Sequence, residues 1–230
     1  MNKYIWCEDK SAGFQFWTEI FKVVCPEAIV ETQNNNSGLR KAVGRIVDAD
    51  SEYYILMDEA VDNPDVLREL KKINELIKDK RNIKLVDIHS FEYVLLSFEL
   101  LEDWVFAKED ELREKRAHYL ENRRTLIRIL SGDILTIEEQ EEYGKLLDTY
   151  GKNNSEQLTA HLLEEITKNT GFFTNKKLLG RCFVDTCCEW QERAEDDICG
   201  LDENRISSDE KKKMIVEHSI LKQAFEKVGL

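Results

Sequence analysis

The chain has 230 residues, of which 42% are hydrophobic and 34% charged, and its formal net charge is −13 at pH 7. This length suffices to bury a sizeable core, and the acidic balance argues against a protein that binds polyanions over a general basic surface. No run approaches the roughly 18 apolar residues of a membrane span. The N-terminus shows no secretory signal and the six cysteines show no disulfide-scaffold spacing, so we expect a cytoplasmic protein with reduced thiols.

Four predicted strands alternate with four predicted helices in the first 105 residues. Short runs rich in β-branched and aromatic residues predict strands over 3–7, 28–33, 52–58 and 82–88. Helical spacing and capping residues predict helices over 12–24, from Ser37 as N-cap, from Asn63 with Pro64 at the first helical position, and from Ser90 to Trp104. This alternation predicts an α/β fold with a four-stranded, mainly parallel sheet sandwiched by helices.

Beyond residue 105 every predicted element is a helix. The predicted helices cover 109–130, 136–150, 155–168, 175–197 and 207–229. Capping boxes open two of them, Thr136 with Glu139 and Ser207 with Glu210. We therefore predict an α/β domain over 1–105 and an all-helical C-terminal region over 106–230.

Acidic residues stand where three of the predicted strands end. They are Glu8 and Asp9, then Asp58, Glu59 and Asp62, then Asp87 and Glu92. Because parallel strands end at one edge of a sheet, where α/β proteins bind ligands, we expect these acids to converge. Converging carboxylates repel one another unless a cation compensates, and Mg²⁺ accepts one or two carboxylates together with waters and substrate phosphate. The alternative is that each acid is an ordinary surface residue, as the helix dipole alone would explain for Glu92.

Three segments carry a resemblance to a known family. YIWCEDKSAGFQFW (4–17), YYILMDEAVDNPDV (53–66) and DIHSFEYVLLSF (87–98) resemble the TOPRIM domain of topoisomerases, bacterial primases and overcoming-lysogenization-defect-type nucleases. Members have a glutamate after the first strand and an Asp-x-Asp after the third, and they bind Mg²⁺. Glu8 and Asp58 stand at the glutamate and first-aspartate positions, and Glu92 with Tyr93 matches a segment of TOPRIM-type phage-defence effectors. Ala60 stands at the second aspartate, where Glu59 or Asp62 could substitute.

The resemblance implies a metal-dependent nuclease that cleaves nucleic-acid phosphodiester bonds in anti-phage defence, with a protein partner or as a homo-oligomer. In this interpretation Glu8, Lys10 and Asp58 are catalytic. Mg²⁺ or Mn²⁺ would be held by Glu8, Asp58, Asp62 and Glu92. The departure at Ala60 leaves open a second interpretation, a degenerate TOPRIM-like protein that binds or regulates through a protein partner.

One basic face is predicted in the C-terminal region. It consists of Arg113, Arg116, Arg123, Arg124 and Arg128. At about 100° per residue these side chains fall within an arc of roughly 140° on a continuous helix. Such a face would contact the phosphates of DNA or RNA. The alternative is a solvated helix whose arginines pair with neighbouring glutamates.

Cysteines near the C-terminus raise the question of a zinc site. The candidate ligands are Cys182, Cys187, Cys188, Cys199 and His218. Their spacing contains no Cys-x-x-Cys pair, which structural zinc sites commonly use. We therefore expect buried, reduced cysteines packed near Trp190.

Overall fold

A four-stranded sheet forms the centre of the computed structural model, which describes residues 2–59, 62–106, 110–132, 135–186, 201 and 206–230. The strands are β1 (Lys3–Cys7), β2 (Ile29–Thr32), β3 (Glu52–Asp58) and β4 (Ile83–Ile88). They lie in the order β2-β1-β3-β4, and all three neighbouring pairs are parallel. The four predicted strands and the α/β class are therefore confirmed.

Twelve helices are present within the described ranges. They are α1 (Ser11–Val24), α2 (Asn36–Gly44), α3 (Pro64–Ile77), α4 (Phe91–Ser97), α5 (Leu101–Phe106), α6 (Asp110–Lys115), α7 (Ala117–Leu130), α8 (Ile137–Tyr150), α9 (Ser155–Thr167), α10 (Arg181–Val184), α11 (Ser208–Glu217) and α12 (Leu221–Val228). Within the same ranges no strand follows β4, as the sequence predicts.

Both faces of the sheet are apolar, because successive residues of a strand point to opposite sides. In β3, Tyr53, Ile55 and Met57 pack with α2 and α3, whereas Tyr54 and Leu56 pack with α1 and the later helices. A strand buried on both faces reads as a continuous apolar run, which explains why the segment 53–57 is the clearest strand signal in the sequence.

The helices after residue 106 cover the same face of the sheet as α1 and α4. Helix α9 packs on α4, α11 packs on α1, and α12 lies along the edge strand β4. One continuous apolar cluster joins them, and Lys84 of β4 donates to the Val228 carbonyl at 2.8 Å. Elements far apart in the sequence therefore share one apolar core with this face of the sheet.

Four predicted helix starts are confirmed by their N-cap hydrogen bonds, at Asn63, Ser90, Thr136 and Ser207. The N-cap predicted at Ser37 is wrong. Asn35 caps α2 instead, with its side chain accepting from the Gly38 N–H at 2.8 Å. Asparagine and serine are comparable N-caps, so a run of asparagines before Ser37 makes this boundary ambiguous from sequence.

Two predicted long helices are interrupted by buried arginines. The segment 90–104 divides into α4 and α5, and Arg123 donates to the Leu96 and Phe98 carbonyls left free where α4 ends. The segment 109–130 divides at Arg116, whose guanidinium donates to the carbonyls of Ile166 and Lys168. Local helix propensity is overridden in both places by contacts between distant segments.

Two further helix predictions hold only in part. The segment 207–229 forms α11 and α12, which are separated at 218–220. In the segment 175–197, the structure shows helix only over Arg181–Val184, and Asn175 and Leu178 form an isolated β-bridge in a turn. Residues 187–197 of that prediction lie outside the described residues.

Candidate functional site

The crevice between β1 and β3 is the point where the strand order reverses, and Glu8 and Asp58 meet there. Glu8 Oε1 accepts a hydrogen bond from the backbone N–H of Asp58 at 2.7 Å, although the two residues lie 50 positions apart. Both side chains are half-buried. A reversal of this kind opens the crevice in which α/β sheets bind ligands, so the fold places these two acids at its natural binding position.

Asp9 is held in the tight connection between β1 and α1. The indole Nε1 of Trp17 donates to Asp9 Oδ2 at 2.7 Å. Glycine is required at position 13, because a Cβ there would lie 2.2 Å from Asp9 Oδ1. Ser11 adopts a positive φ of 49°, a conformation that serine rarely adopts. The small residues after β1 therefore allow the Asp9 carboxylate to lie against the start of α1.

Two further acids enter from the first turns of α4 and α9. Ser90 and Asn154 cap these helices, which places Glu92 and Glu156 in their first turns. The charge of Glu156 raises the pKa of each of the other four acids at this edge. We call these five side chains the acid cluster: Glu8, Asp9, Asp58, Glu92 and Glu156.

Burial and mutual repulsion raise the pKa values in the acid cluster. Burial raises the pKa of Glu8 and of Glu92 to about 8 and that of Asp9 to about 6, and neighbouring carboxylates add to each shift. Burial and the other four acids raise the pKa of Asp58 well above its usual range. Hydrogen bonds from the Asp58 N–H and the Trp17 indole oppose the shifts at Glu8 and Asp9 without cancelling them.

The acid cluster offers oxygen ligands to a hard cation. The charges that raise its pKa values all belong to other acids, and no described lysine or arginine forms an ion pair with Glu8, Asp58 or Glu92. In the described part of the chain, no three His, Cys, Asp or Glu side chains stand close enough together to hold one ion. Mg²⁺ in proteins is commonly held by one or two carboxylates, with waters completing the shell.

Asp62, the fourth predicted metal ligand, lies in a different hydrogen-bond network. Its carboxylate accepts from both the N–H and the hydroxyl of Ser155 at 2.7 Å, and from the Tyr143 hydroxyl. Ser155 is the first residue of α9, so Asp62 anchors the helix that carries Glu156. The charges of Glu8 and Glu92 both act on Asp58, whereas Asp62 acts on this edge through the position of α9. Among the described residues, the four predicted ligands do not form a group that surrounds one ion.

Lys10, the predicted catalytic lysine, lies exposed at the N-cap of α1, next to Asp9 in the chain.

The predicted basic face is not formed by all five arginines. Arg116 and Arg123 are buried and donate to backbone carbonyls, so they contribute nothing to an exposed basic face. Three arginines remain at the surface, each paired with a carboxylate: Arg113 with Asp103, Arg124 with Glu102, and Arg128 with Glu139 and Glu142.

The predicted thiols are described only in part. Cys182 is buried, and His218 contacts the Glu99 carboxylate at 3.3 Å. Cys187, Cys188 and Cys199 lie outside the described residues. The buried state expected for the cysteines is confirmed at Cys182.

Two members of the acid cluster were not predicted as site residues. Asp9 follows Glu8 directly in the sequence. Trp17 and Gly13 on the next helix are the sequence features that could have indicated a carboxylate packed against the start of α1. Glu156 has no such signal, because an acid in the first turn of a helix is common for dipole reasons alone. Its position at the site depends on the docking of α9 against α4.

The fold and the acid cluster define the class of this protein. It is an α/β protein with a four-stranded parallel sheet and carboxylates gathered where the strand order reverses. No family model, curated protein or solved structure matches the chain. Among the described residues, no helix combines the length and the apolar character needed to cross a membrane.

Stability should fall as the pH rises through the neutral range. Glu8 and Glu92 have folded-state pKa values of about 8, above the value of about 4.3 in an unfolded chain. The folded protein therefore binds more protons between these values, and its free energy of unfolding decreases as pH rises. We expect a loss of about 2–3 kcal/mol from each of these two groups between pH 6 and pH 8.5 in urea titrations with EDTA.

Two variants assign this pH dependence to the acid cluster. Glu92→Gln should flatten the curve, because glutamine carries no charge to be repelled. Glu138→Gln is the matched control, since Glu138 also lies in the first turn of a helix but outside the cluster. Equal slopes for wild type and Glu92→Gln would contradict the assignment.

Proposed function

We propose that the chain is a metal-dependent phosphodiesterase of TOPRIM type that acts on nucleic acid, with Mg²⁺ or Mn²⁺ bound at the acid cluster. The observation that carries this proposal is the convergence of Glu8 and Asp58 at the strand-order reversal, joined by the 2.7 Å hydrogen bond. A glutamate after the first strand and an aspartate at the end of the third are the positions that the TOPRIM resemblance requires. The all-parallel sheet supports the same assignment.

The bound ion would supply Lewis-acid activation of the phosphoryl group and of an attacking water. Glu8 is oriented for this role, because one of its oxygens is held by the Asp58 N–H and the other remains available to a ligand. Glu92 has a pKa raised to about 8 by burial, so it can retain a proton near neutral pH and donate it to a leaving oxygen. Lys10, exposed beside the cluster, is suited to contact a phosphate.

A cleft beside the acid cluster provides a surface for an anionic substrate. It has a volume of about 290 Å³, and Glu92 forms part of its wall. Lys152 and Lys176 also line it, so two cationic groups stand near Glu92, together with Glu164 and with His161, whose pKa burial lowers. This pairing of acids with adjacent cations is the arrangement expected for a phosphodiester bound across a metal ion. The two lysines of this cleft support an anionic substrate such as nucleic acid.

A second candidate function is a binding or regulatory protein on a degenerate TOPRIM-like scaffold. Two observations favour it: Asp62 is fully engaged with Ser155 and Tyr143, and no three potential ligands in the described chain surround one point. Ala60, at the second aspartate position, lies outside the described residues. In this case the net charge of −13 would serve the recognition of a basic protein partner.

A metal titration tests the proposed function. Millimolar Mg²⁺ or Mn²⁺ should raise the melting temperature at pH 8, because the ion neutralises repelled carboxylates and binds only the folded chain. Glu8→Gln should abolish this rise, and Glu138→Gln should retain it. Labelled DNA and RNA should then be cleaved by the wild type with metal and left intact in EDTA.

The outcomes separate the two candidates. Metal stabilisation together with cleavage supports the phosphodiesterase. Metal stabilisation without cleavage of any single-stranded or duplex substrate supports the degenerate scaffold. A melting temperature indifferent to metal contradicts a cation site at the acid cluster and with it the enzymatic proposal.

A further inference from the structure

An aromatic patch adjoins the cleft that Glu92 helps to line. It is formed by Tyr119 of α7, Tyr150 of α8 and His161 of α9. The ring centroids of Tyr150 and His161 lie 5.0 Å apart, and that of Tyr119 lies 6.0 Å from the first and 6.3 Å from the second. All three side chains are half-buried. Each ring therefore rests partly on the protein and keeps part of its surface open to solvent.

The two tyrosine rings are fixed in place by the surrounding structure. Both pack against the main apolar cluster. Asn122 Nδ2 donates to the Tyr150 hydroxyl at 2.6 Å, and the Tyr119 hydroxyl interacts with the Glu165 carboxylate. Because their hydroxyl groups are engaged and their rings are held by packing, the tyrosines form a surface that loses little side-chain freedom when a ligand binds.

His161 joins the aromatic patch to the cleft. Its ring contacts Tyr150, and its side chain also lines the cleft. Gly151 and Lys152, which follow Tyr150 in the chain, line the same cleft. Glu92 stands in the wall of this cleft, whose volume is about 290 Å³. A molecule that lies on the patch therefore extends directly into the cleft beside the acid cluster.

The charges around the aromatic patch are balanced, so charge alone does not select its ligand. The charged groups that act on the His161 ring are Lys152, Lys168, Glu164 and Glu165. Burial, followed by the charge of Lys152, lowers the pKa of His161, so its ring is uncharged at pH 7. A basic peptide, or a polyanion without rings, would meet charges of both signs here. A flat ring that stacks on aromatic side chains avoids this conflict.

A nucleobase is a flat ring of this kind, and the neighbouring lysines fit the phosphates attached to it. Bases stack on aromatic side chains through a free face, which bases inside a duplex lack because they are stacked on one another. Single-stranded nucleic acid offers such faces on a flexible backbone. Lys152 and Lys176, which line the cleft, are placed to contact a phosphate next to the stacked base.

We propose that the aromatic patch binds a base of single-stranded nucleic acid, with the adjoining phosphate held by the lysines of the cleft. This inference rests on the proposed function, because it names the form of nucleic acid that reaches the acid cluster. The patch itself lies on α7, α8 and α9, outside the segments 4–17, 53–66 and 87–98 that resemble the TOPRIM domain. Because stacking supplies most of the affinity, binding should depend only weakly on salt.

The test is fluorescence anisotropy of a labelled oligodeoxythymidylate mixed with the full chain in EDTA, so that binding is measured apart from metal-dependent cleavage. The single strand should bind saturably. The same strand annealed to oligodeoxyadenylate should bind roughly tenfold more weakly or not at all, because its bases are already stacked. An abasic deoxyribose-phosphate oligomer of equal length should not bind, because it carries the charges without the rings.

Variants at Tyr150 separate stacking from packing. Tyr150→Leu keeps an apolar side chain without a ring and should weaken binding of the single strand about fivefold to a hundredfold, the effect of one base–aromatic stack. Tyr150→Phe keeps the ring, loses the bond from Asn122 and should bind as the wild type does. His161→Ala should also weaken binding, and it serves if Tyr150→Leu does not fold. Tyr4→Leu is the control, because Tyr4 is a half-buried tyrosine stacked on Tyr53 on the opposite face of the sheet.

Four results would overturn the proposal. They are the absence of saturable binding, equal affinity for single strand and duplex, binding of the abasic oligomer, and unchanged affinity in Tyr150→Leu, or in His161→Ala where Tyr150→Leu does not fold.

These results are independent of the metal titration that tests the proposed function. Ring-dependent binding of the single strand, without metal stabilisation or cleavage, would support the aromatic patch and contradict the phosphodiesterase. Metal stabilisation and cleavage, with full binding retained in the ring-deleting variants, would support the phosphodiesterase and contradict the patch.

Discussion

Asp58→Asn is expected to lower metal-dependent phosphodiester cleavage by roughly a hundredfold to a thousandfold and, in the same variant, to raise stability. The two effects have one cause. The Asp58 carboxylate is buried among four other acids, which raise its pKa well above the usual range. Asparagine has nearly the same volume, leaves the Asp58 backbone N–H to bind Glu8, and removes the repelled charge.

The stability change is measurable without substrate. At pH 8 in EDTA, Asp58→Asn should unfold at a melting temperature higher than that of the wild type, by roughly 2–4 °C for each kcal/mol gained. Added Mg²⁺ should raise the melting temperature of the wild type and leave that of Asp58→Asn unchanged. Asp50→Asn provides the control, because Asp50 is an exposed aspartate outside the cluster. A lower melting temperature for Asp58→Asn, or full cleavage activity, would show that its carboxylate is neither repelled nor required.

The predictable part of the site follows from the sheet alone. Glu8 and Asp58 stand at the ends of strands whose apolar runs are unambiguous, and parallel strands must end together. Glu92 follows for the same reason, since Ser90 fixes the start of α4 directly after β4. Alternation of strands and helices therefore suffices to place three carboxylates at one edge.

The rest of the site depends on long-range docking, which sequence periodicity does not encode. Glu156 reaches the cluster because Asp62 holds the first residue of α9, across 93 positions of the chain. The sequence also presents Asp62 as a metal ligand, because its distance from Asp58 along the chain is short. Only the structure shows that Ser155 and Tyr143 bind its carboxylate.

Contacts between distant segments also explain why the sequence mispredicts the positions of two arginines. Helical periodicity places Arg116 and Arg123 on one face with three surface arginines, and charge then suggests a nucleic-acid ridge. In the structure both side chains point inward, where they donate hydrogen bonds to backbone carbonyls at the ends of helices. A positively charged residue in an acidic chain is thus ambiguous between a phosphate contact and an internal brace until its burial is known.

Arg123→Ala is expected to destabilise the protein by about 3 kcal/mol or more. The side chain is 6% exposed, and its guanidinium donates to the Leu96 carbonyl at 2.6 Å, the Phe98 carbonyl at 2.8 Å and Glu102 at 3.2 Å. Alanine would leave two carbonyls at the end of α4 without a partner and a half-buried carboxylate with less compensation. Urea unfolding should show this loss in the free energy of unfolding. Thermal unfolding should show a melting temperature lower by roughly 6–12 °C.

The neighbouring Arg124 is the matched control, because it binds the same Glu102 at 3.3 Å from an exposed position. Arg124→Ala should change stability by less than about 0.5 kcal/mol. If the surface arginines contact nucleic acid, the same variant should weaken binding of a labelled oligonucleotide and reduce its salt dependence. Near-equal stability losses in the two variants would contradict the bracing role of Arg123. These two adjacent arginines of α7 therefore test two different roles. Arg123 holds the end of α4, the helix that carries Glu92, and Arg124 is placed where a nucleic acid could contact it.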